Sequence, residues 1–161
     1  MKPDVLELDE IALFAGVPRP VLEALVPELE ALELAAGERL CTQGEVGREL
    51  WIVLRGELEA SRAGPGGRRE RGALLGPGDW FGEMALLDLQ GQPFTVRTLA
   101  PSRVVRLRAS TLDGLYRRDL KSYALIWMNA ARELSRRLRR NLDAPPRRRR
   151  TPASPARGLP S

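Results

Sequence analysis

Histidine is absent from this chain of 161 residues, and cysteine occurs once, as Cys41. Without histidine the chain lacks the commonest general base and the commonest transition-metal ligand. A single cysteine cannot form an internal disulfide, so we expect a reducing compartment, with Cys41 as a buried and inert thiol. Since no nucleophile–base pair is visible either, the sequence predicts a protein that is not an enzyme and holds no metal or cofactor.

Long apolar runs are also missing. A membrane-spanning helix needs about 18–20 apolar residues in succession, and the sequence contains no such run. Residues 1–10 are acidic and lack the pattern of a secretory signal. We therefore expect a cytoplasmic protein without a transmembrane segment.

The net charge of +5 is concentrated at one end of the chain. Residues 144–161 carry five arginines and no acidic side chain; removing these five from the total of 26 leaves 21 basic against 21 acidic side chains. The proline- and arginine-rich composition of 144–161 predicts a disordered basic tail. The rest of the chain is neutral, which argues against a domain built mainly to bind nucleic acid, because that function needs a clustered positive face.

Between residues 30 and 108, short apolar runs alternate with glycine-containing turns. Many short strands at fairly regular spacing are typical of a sandwich, barrel or roll, so the sequence predicts a mainly β fold here. The strand candidates are 32–34, 39–41, 50–54, 57–60, 71–75, 94–99 and 103–107.

Helical spacing of apolar residues occurs on both sides of this β region. Residues 9–29 show it in short pieces that prolines interrupt, and residues 1–8 are expected to form a flexible N-terminus. After the strands, Ser110 is read as the N-cap of a short helix that ends near residue 118. A long helix is predicted to follow and to end at about residue 142.

One stripe of the long helix repeats apolar residues at alternating steps of four and three, the spacing of a coiled coil. The apolar face is wider in the first half, so we expect that half to pack on the body and the second half to project. The stripe then forms either a parallel homodimer or a contact with the chain's own body, and its length favours the dimer. Its members are Leu120, Ala124, Trp127, Ala131, Leu134 and Leu138.

The polar face of the second half is rich in arginine, and the tail adds the run 147–150. Such a run is usually a solvated helix face. The two other interpretations are attraction to an acidic partner or membrane surface, and contact with nucleic acid without sequence specificity.

The segment from Gly76 to Leu87 combines a glycine-rich turn with a short apolar stretch that carries one carboxylate, Glu83. Glycines let the backbone approach a ligand closely, and successive N–H groups in such a turn form an anion-binding concavity. The carboxylate can accept hydrogen bonds from hydroxyls, as on a sugar. A phosphate site beside a sugar site predicts a nucleotide ligand.

Several motifs occur in a specific order along the chain. They are Leu13-Phe14, Gly37-Glu38, Gln43-Gly44-Glu45, the runs 50–58 and 78–87, and Thr95-Val96. In these motifs the chain resembles, over about 10–142, the cyclic nucleotide-binding domains of catabolite activator proteins, cyclic-nucleotide-dependent kinases and gated channels. The resemblance implies one domain over 9–143, with a double-stranded β-helix (a jelly-roll-like β-roll), N-terminal helices and a long C-terminal helix.

The resemblance also implies a binding loop for a cyclic nucleotide such as cAMP or cGMP. Gly82 would let the backbone approach, and Glu83 would bind the ribose 2′-hydroxyl. The amides of Met84 and Ala85 would face ribose and phosphate oxygens at a helix N-terminus. The remaining ligand-site residues that it implies are Gln92, Phe94 and Thr95.

The long helix often covers the base in this family. Tyr123 and Trp127 are therefore candidates for a base-covering role, and packing in the core or the dimer is the alternative interpretation.

The family's phosphate-binding arginine is missing. It stands about ten residues after the glycine that matches Gly82, which is where this chain has Gln92. In the alternative alignment Phe94 takes that place, so neither alignment supplies the charge. Arg97 lies three residues from Phe94 and hence on the opposite face of a strand. A neutral amide loses the charge-assisted part of the contact, about 1–3 kcal/mol or roughly ten- to a hundredfold in affinity.

The sequence leads to two functional hypotheses. In the first, the chain is a stand-alone, non-catalytic sensor that binds a cyclic nucleotide and signals through its C-terminal helices to an unknown partner protein. In the second, it keeps the fold as a ligand-independent interaction or scaffold module. Since a proline–arginine tail follows the long helix instead of a helix-turn-helix, sequence-specific DNA binding is not expected.

Overall fold

The computed structural model describes residues 1–143, where eight β-strands form two antiparallel sheets of four. The strands are β1 (Glu30–Leu34), β2 (Arg39–Cys41), β3 (Glu49–Arg55), β4 (Leu58–Ala63), β5 (Arg69–Leu75), β6 (Trp80–Phe81), β7 (Thr95–Thr98) and β8 (Ser102–Arg108). The first sheet has the order β1-β8-β3-β6, and the second has the order β2-β7-β4-β5.

Helices lie before, within and after the strands. They are α1 (Val5–Asp9), α2 (Arg19–Leu25), α3 (Glu83–Asp88), α4 (Ala109–Arg118) and α5 (Leu120–Asp143). Single 3-10 turns occupy Ala12–Phe14, Val26–Glu28 and Pro65–Gly67. No helix within residues 1–143 combines the length and the apolar character needed to cross a bilayer.

Strand β3 divides the core into two layers. Its side chains Leu50 and Ile52 pack with the helices, whereas Trp51 and Val53 pack between the two sheets. Both faces of the strand are therefore covered, which explains why its sequence is a continuous apolar run and not an alternating one. The layer between the sheets extends to the strands that surround the candidate site.

The mainly β fold with flanking helices is confirmed, and the roll with its long C-terminal helix is the architecture that the motifs implied. Each of the seven strand candidates corresponds to an observed strand, with ends that differ by up to three residues. The strand that the sequence did not indicate is β6, which has only two residues and pairs with Trp51 and Ile52 of β3.

The N-terminus corrects one expectation. Residues 1–8 were expected to be flexible, but α1 begins within them and Leu8 is fully buried. Asp4 caps this helix through a hydrogen bond from the amide of Leu6, and Glu7 completes a capping box. This signature, an aspartate followed three residues later by a glutamate, was present in the sequence.

The junction between α4 and α5 also differs from the sequence-based expectation. The helix α4 begins one residue before Ser110, and its N-cap position is Arg108, which forms no side-chain cap. The capping residue lies instead at the start of α5, where Asp119 accepts hydrogen bonds at 3.0 Å from both the amide and the hydroxyl of Ser122. These hydrogen bonds hold the pKa of Asp119 below its ordinary value.

The helix α5 is anchored to the body through its first half. Ile126 and Ala130 are fully buried, and the Asn129 amide donates to the carbonyls of Leu13 and Ala15 at 3.0 and 2.9 Å. The expected homodimer stripe runs along another face, on which Leu120 and Leu138 are about 60% exposed. Dimerisation through this stripe stays a prediction, and the predicted tail 144–161 lies outside the described residues.

Candidate functional site

A cavity of about 550 Å³ lies between the second sheet, the start of α3 and the end of α5. Five of the sequence-predicted site residues line it: Gly82, Glu83, Met84, Gln92 and Phe94. The structure thus brings residues from two separate segments, 82–84 and 92–94, into one wall. The opposite wall is the second half of α5, including Leu134 and Leu138 of the stripe, so this half of the helix borders the cavity and does not project as expected.

Gly82 is required where α3 meets the sheet. Its φ is +94°, and a Cβ atom there would lie 2.4 Å from the carbonyl oxygen of Glu49 on β3. A side chain at this position would be both strained and in collision with the backbone. The glycine therefore lets the chain turn tightly against β3 and begin α3 with Glu83 at the cavity.

Glu83 carries its carboxylate in a buried position, with a side chain that is 3% exposed. Arg137 of α5 donates to this carboxylate at 3.1 Å and to the carbonyl of Trp80 at 3.1 Å, and its guanidinium lies over the Trp80 ring. Burial raises the pKa of Glu83 above its ordinary value, although the positive charge of Arg137 acts in the opposite direction. The group predicted to accept a ribose hydroxyl is thus already engaged by the chain itself.

A second carboxylate, Glu133, organises the arginines of α5. It accepts hydrogen bonds from Arg137 at 3.3 Å and from Arg140 at 2.9 Å. Burial alone would raise the pKa of Glu133, but the hydrogen bond from Arg140 and the charge of Arg137 hold it below its ordinary value. Among the described residues that line the cavity, the cationic ones are Arg137 and Arg140. The positive charge at this cavity therefore comes from the helix and not from the β-roll.

Gln92 is 6% exposed and is fixed by its surroundings. Its backbone amide donates to Glu45 and its carbonyl accepts from Gly44, both at 2.8 Å. A Cβ on Gly47 would lie 2.4 Å from the side-chain amide nitrogen (Nε2) of Gln92 and 2.7 Å from the Ala85 methyl. The side chain therefore fills a tight space beside α3, where the family's arginine is expected.

Phe94 packs against the backbone of β5, since a Cβ on Gly72 would lie only 2.8 Å from its ring. The ring belongs to the apolar layer between the sheets and forms part of the wall, and the cavity beside it remains open. The other two predicted residues do not line this cavity. Ala85 is buried behind it beside Gly47, and the Thr95 hydroxyl accepts from the amide of Gln43 at 3.0 Å.

Tyr123 and Trp127, the candidates for covering a base, do not line the cavity. They lie in the first half of α5 and pack against the helical core layer, where Tyr123 forms edge-to-face contacts with Tyr116 and Trp127. Helical geometry explains the difference, because the cavity borders residues 133–141, about two to five turns further along α5.

Sequence reasoning missed Glu133, Arg137 and Arg140. The available signal was the spacing of four residues between Glu133 and Arg137, which places them as neighbours on one helix face. That face was read as solvated because no sequence pattern told which side of α5 would meet the roll.

Comparison with known proteins places these features in a family. Residues 31–119 match the model described as the cyclic nucleotide-binding domain. The CRP-like cAMP-activated global transcriptional regulator of Mycobacterium tuberculosis is 31% identical over 141 residues, which cover 83% of this chain and 59% of that protein. The chain therefore spans somewhat more than half the length of such curated relatives.

Solved structures give the same result at the level of the fold. The catabolite activator protein of Thermus thermophilus superimposes with a TM-score of 0.70 and 29% identity, covering 81% of this chain and 59% of that one. A cyclic nucleotide-binding domain from Methylobacillus flagellatus reaches a TM-score of 0.77 at 21% identity and covers 86% of this chain and 78% of that chain, a likeness of fold alone.

Proposed function

The chain belongs to the cyclic nucleotide-binding domain family, and from that premise we propose that it is a non-catalytic sensor of a cyclic nucleotide, cAMP or cGMP. The observation that carries the proposal is the cavity of about 550 Å³ at the start of α3, which presents the buried carboxylate of Glu83. This volume lies within the range of about 300–1,000 Å³ that small-molecule sites occupy.

The ligand contacts follow from the residues that line the cavity. The Glu83 carboxylate accepts hydrogen bonds from the ribose hydroxyl, and the start of α3 and the Gln92 amide serve the phosphate. Leu134 and Leu138 offer an apolar wall to the base in place of Tyr123 and Trp127. A neutral amide at Gln92 sets the expected affinity roughly ten- to a hundredfold below that of a site with an arginine.

Signalling follows from the contact between Arg137 and Glu83. A ribose hydroxyl that bonds to Glu83 competes with Arg137, which is the contact that holds the end of α5 against the roll. Ligand binding then favours a conformation in which the end of α5 is displaced, and this differential contact is what a population shift requires. A partner protein bound to α4, α5 or the tail would respond to that displacement.

Isothermal titration calorimetry of the full chain with cAMP and cGMP tests the sensor. The proposal expects saturable binding of one of them at micromolar to millimolar concentration. It also expects the binding to be abolished by Glu83→Ala and retained in the matched control Glu23→Ala, which alters an exposed glutamate on α2. Absence of binding by both nucleotides at millimolar concentration contradicts it.

One specific observation favours the alternative, a ligand-independent interaction module. The Glu83 carboxylate is satisfied by Arg137, and Gln92 fits its tight space without a ligand. A module of this kind would show the same α5 position with and without nucleotide. Amide hydrogen exchange in α5 distinguishes the sensor from the interaction module. If the chain is a sensor, exchange near Arg137 becomes faster when cAMP is added; if it is an interaction module, exchange does not change.

A further inference from the structure

A second concavity, of about 460 Å³, lies on the outer face of the sheet β2-β7-β4-β5. Four arginines line it, one from each strand of the sheet, and no carboxylate of residues 1–143 does. They are Arg39, Arg62, Arg69 and Arg97. This surface is separate from the cavity at α3, and its neutral lining groups include Gln43, Ser61 and Thr95.

Two of these arginines face each other across the sheet. Arg39 of β2 is the register partner of Arg97 on β7, and directly opposite residues share a face with Cβ atoms about 4.5–5.5 Å apart. Like charges in that arrangement destabilise a sheet. Within residues 1–143, neither guanidinium has a carboxylate within ion-pair distance, so the repulsion is not compensated by the chain there.

The one buried carboxylate nearby is already used. Glu59 of β4 is the register partner of Arg97 on the other side, but its oxygens bind Arg69 at 3.2 Å and Arg71 at 2.9 Å. Its side chain is 9% exposed. The excess positive charge of the concavity therefore remains available to a ligand.

The neutral lining groups present hydrogen-bond donors because their acceptors are occupied. The Gln43 carbonyl oxygen accepts from the amide of Ala63 at 2.7 Å, which leaves its NH₂ group to donate. The Thr95 hydroxyl oxygen accepts from the amide of Gln43 at 3.0 Å, and that of Ser61 accepts from Arg69 at 3.2 Å. Each hydroxyl keeps its hydrogen for a further acceptor.

From this arrangement we propose that the concavity binds a compact polyphosphate, such as the phosphate chain of a nucleoside triphosphate. Guanidinium groups and hydroxyl donors that converge on one concavity match a small ligand with several phosphate oxygens. Single-stranded nucleic acid fits less well, because its sites combine a basic groove with stacking aromatic side chains, and no aromatic residue in the described part of the chain lines this surface. The proposal does not depend on cyclic nucleotide binding at the other cavity.

Titration calorimetry of the full chain with inorganic tripolyphosphate, ATP and a single-stranded oligonucleotide tests the proposal. The variants Arg39→Gln and Arg97→Gln are each expected to weaken tripolyphosphate binding about tenfold or more, which corresponds to loss of one charge-assisted contact. The control Arg117→Gln removes an equal charge from an exposed position on α4 and is expected to leave binding unchanged. If ATP and tripolyphosphate bind equally, the phosphate chain is the part that is recognised. If ATP binds more tightly, the concavity also contacts the nucleoside.

Thermal unfolding provides a second measurement. Without ligand, Arg97→Gln is expected to unfold at the same temperature as the parent or higher, because the repulsion with Arg39 is relieved. Tripolyphosphate is expected to raise the unfolding temperature of the parent more than that of the variant. Binding of tripolyphosphate that is unchanged in both variants overturns the proposal. The proposal is also overturned if the two substitutions weaken the binding of the oligonucleotide alone.

Discussion

Arg137 of α5 donates a hydrogen bond to the buried carboxylate of Glu83 across 3.1 Å, and this contact joins the long helix to the start of α3. The two residues are 54 positions apart in the chain. The Arg137 side chain is 28% exposed and the Glu83 side chain 3% exposed, so water reaches the arginine but hardly reaches the carboxylate. Removal of the arginine would therefore leave a buried acceptor without its partner, while freeing it for a ligand.

We expect Arg137→Gln to bind cAMP about tenfold more tightly than the parent and to be less stable by about 1–3 kcal/mol, the cost of an unsatisfied buried group. The affinity rises because the ribose hydroxyl no longer competes with a guanidinium for Glu83. Calorimetry measures the first effect and urea unfolding the second. The matched control is Arg136→Gln, whose exposed side chain forms an ion pair with Glu133 at 3.6 Å. Unchanged affinity in Arg137→Gln would contradict the competition.

Gln92→Arg is expected to tighten cAMP binding by roughly ten- to a hundredfold, because it supplies a charge-assisted contact to the cyclic phosphate. The backbone hydrogen bonds of Gln92 to Gly44 and Glu45 hold this position in place for the substitution. The control Gln90→Arg adds the same charge at an exposed residue that does not line the cavity. An affinity that rises equally in both variants would show a general charge effect and not a phosphate contact.

The sequence was sufficient to predict a mainly β region between helices because its strands have local signals. The apolar run Leu50–Leu54 reflects a strand that is buried on both faces, and glycines mark the turns between strands. Glu83 was found from the glycine-rich turn that precedes it, whereas Gln92 was implied by the resemblance to cyclic nucleotide-binding domains, as the residue at the position of the family's arginine. Both line the cavity.

Contacts that depend on the placement of α5 were not predictable from local pattern. The stripe from Leu120 to Leu138 indicates which residues share a helix face, but it does not show which face meets the roll. That choice is made by Asn129, whose amide bonds to carbonyls of Leu13 and Ala15 more than 110 residues earlier in the chain. Once Asn129 faces the body, Arg137 is carried to Glu83, and Trp127 remains over the helical layer.

Cys41 is expected to react slowly with Ellman's reagent at pH 8 in the folded chain. Burial raises the pKa of its thiol to about 11, whereas an unfolded cysteine has a pKa of about 8.5, so the reactive thiolate fraction at pH 8 is smaller by roughly two hundredfold. The measurement compares the rate before and after denaturation. In an Ala36→Cys variant the new thiol is exposed and should react fast while Cys41 stays slow; two equally fast thiols would contradict the burial of Cys41.

The apolar stripe of α5, in which Leu120, Ala131 and Leu138 are exposed, predicts a homodimer. Ala131 lies on this stripe, is exposed and does not line the cavity, so Ala131→Glu should disrupt association without altering the site. Sedimentation analysis at micromolar concentration is expected to show a dimer for the parent and a monomer for this variant. Arg136→Gln changes the net charge by the same amount on another face and should remain dimeric; a parent that sediments as a monomer would contradict the prediction.

The pH dependence of stability should show the raised pKa of Glu83. A carboxyl group whose pKa is higher in the folded state than its ordinary value of 4.5 binds more protons in that state, so its contribution to stability is greatest at low pH and is lost as the pH rises through the folded pKa. The free energy of unfolding of the parent minus that of Glu83→Gln is therefore expected to fall as the pH rises above 4.5, as measured by urea unfolding. Glu133 has a lowered pKa, so the corresponding difference for Glu133→Gln should increase with pH. An increase for Glu83 as well would mean that the attraction of Arg137 outweighs the effect of burial.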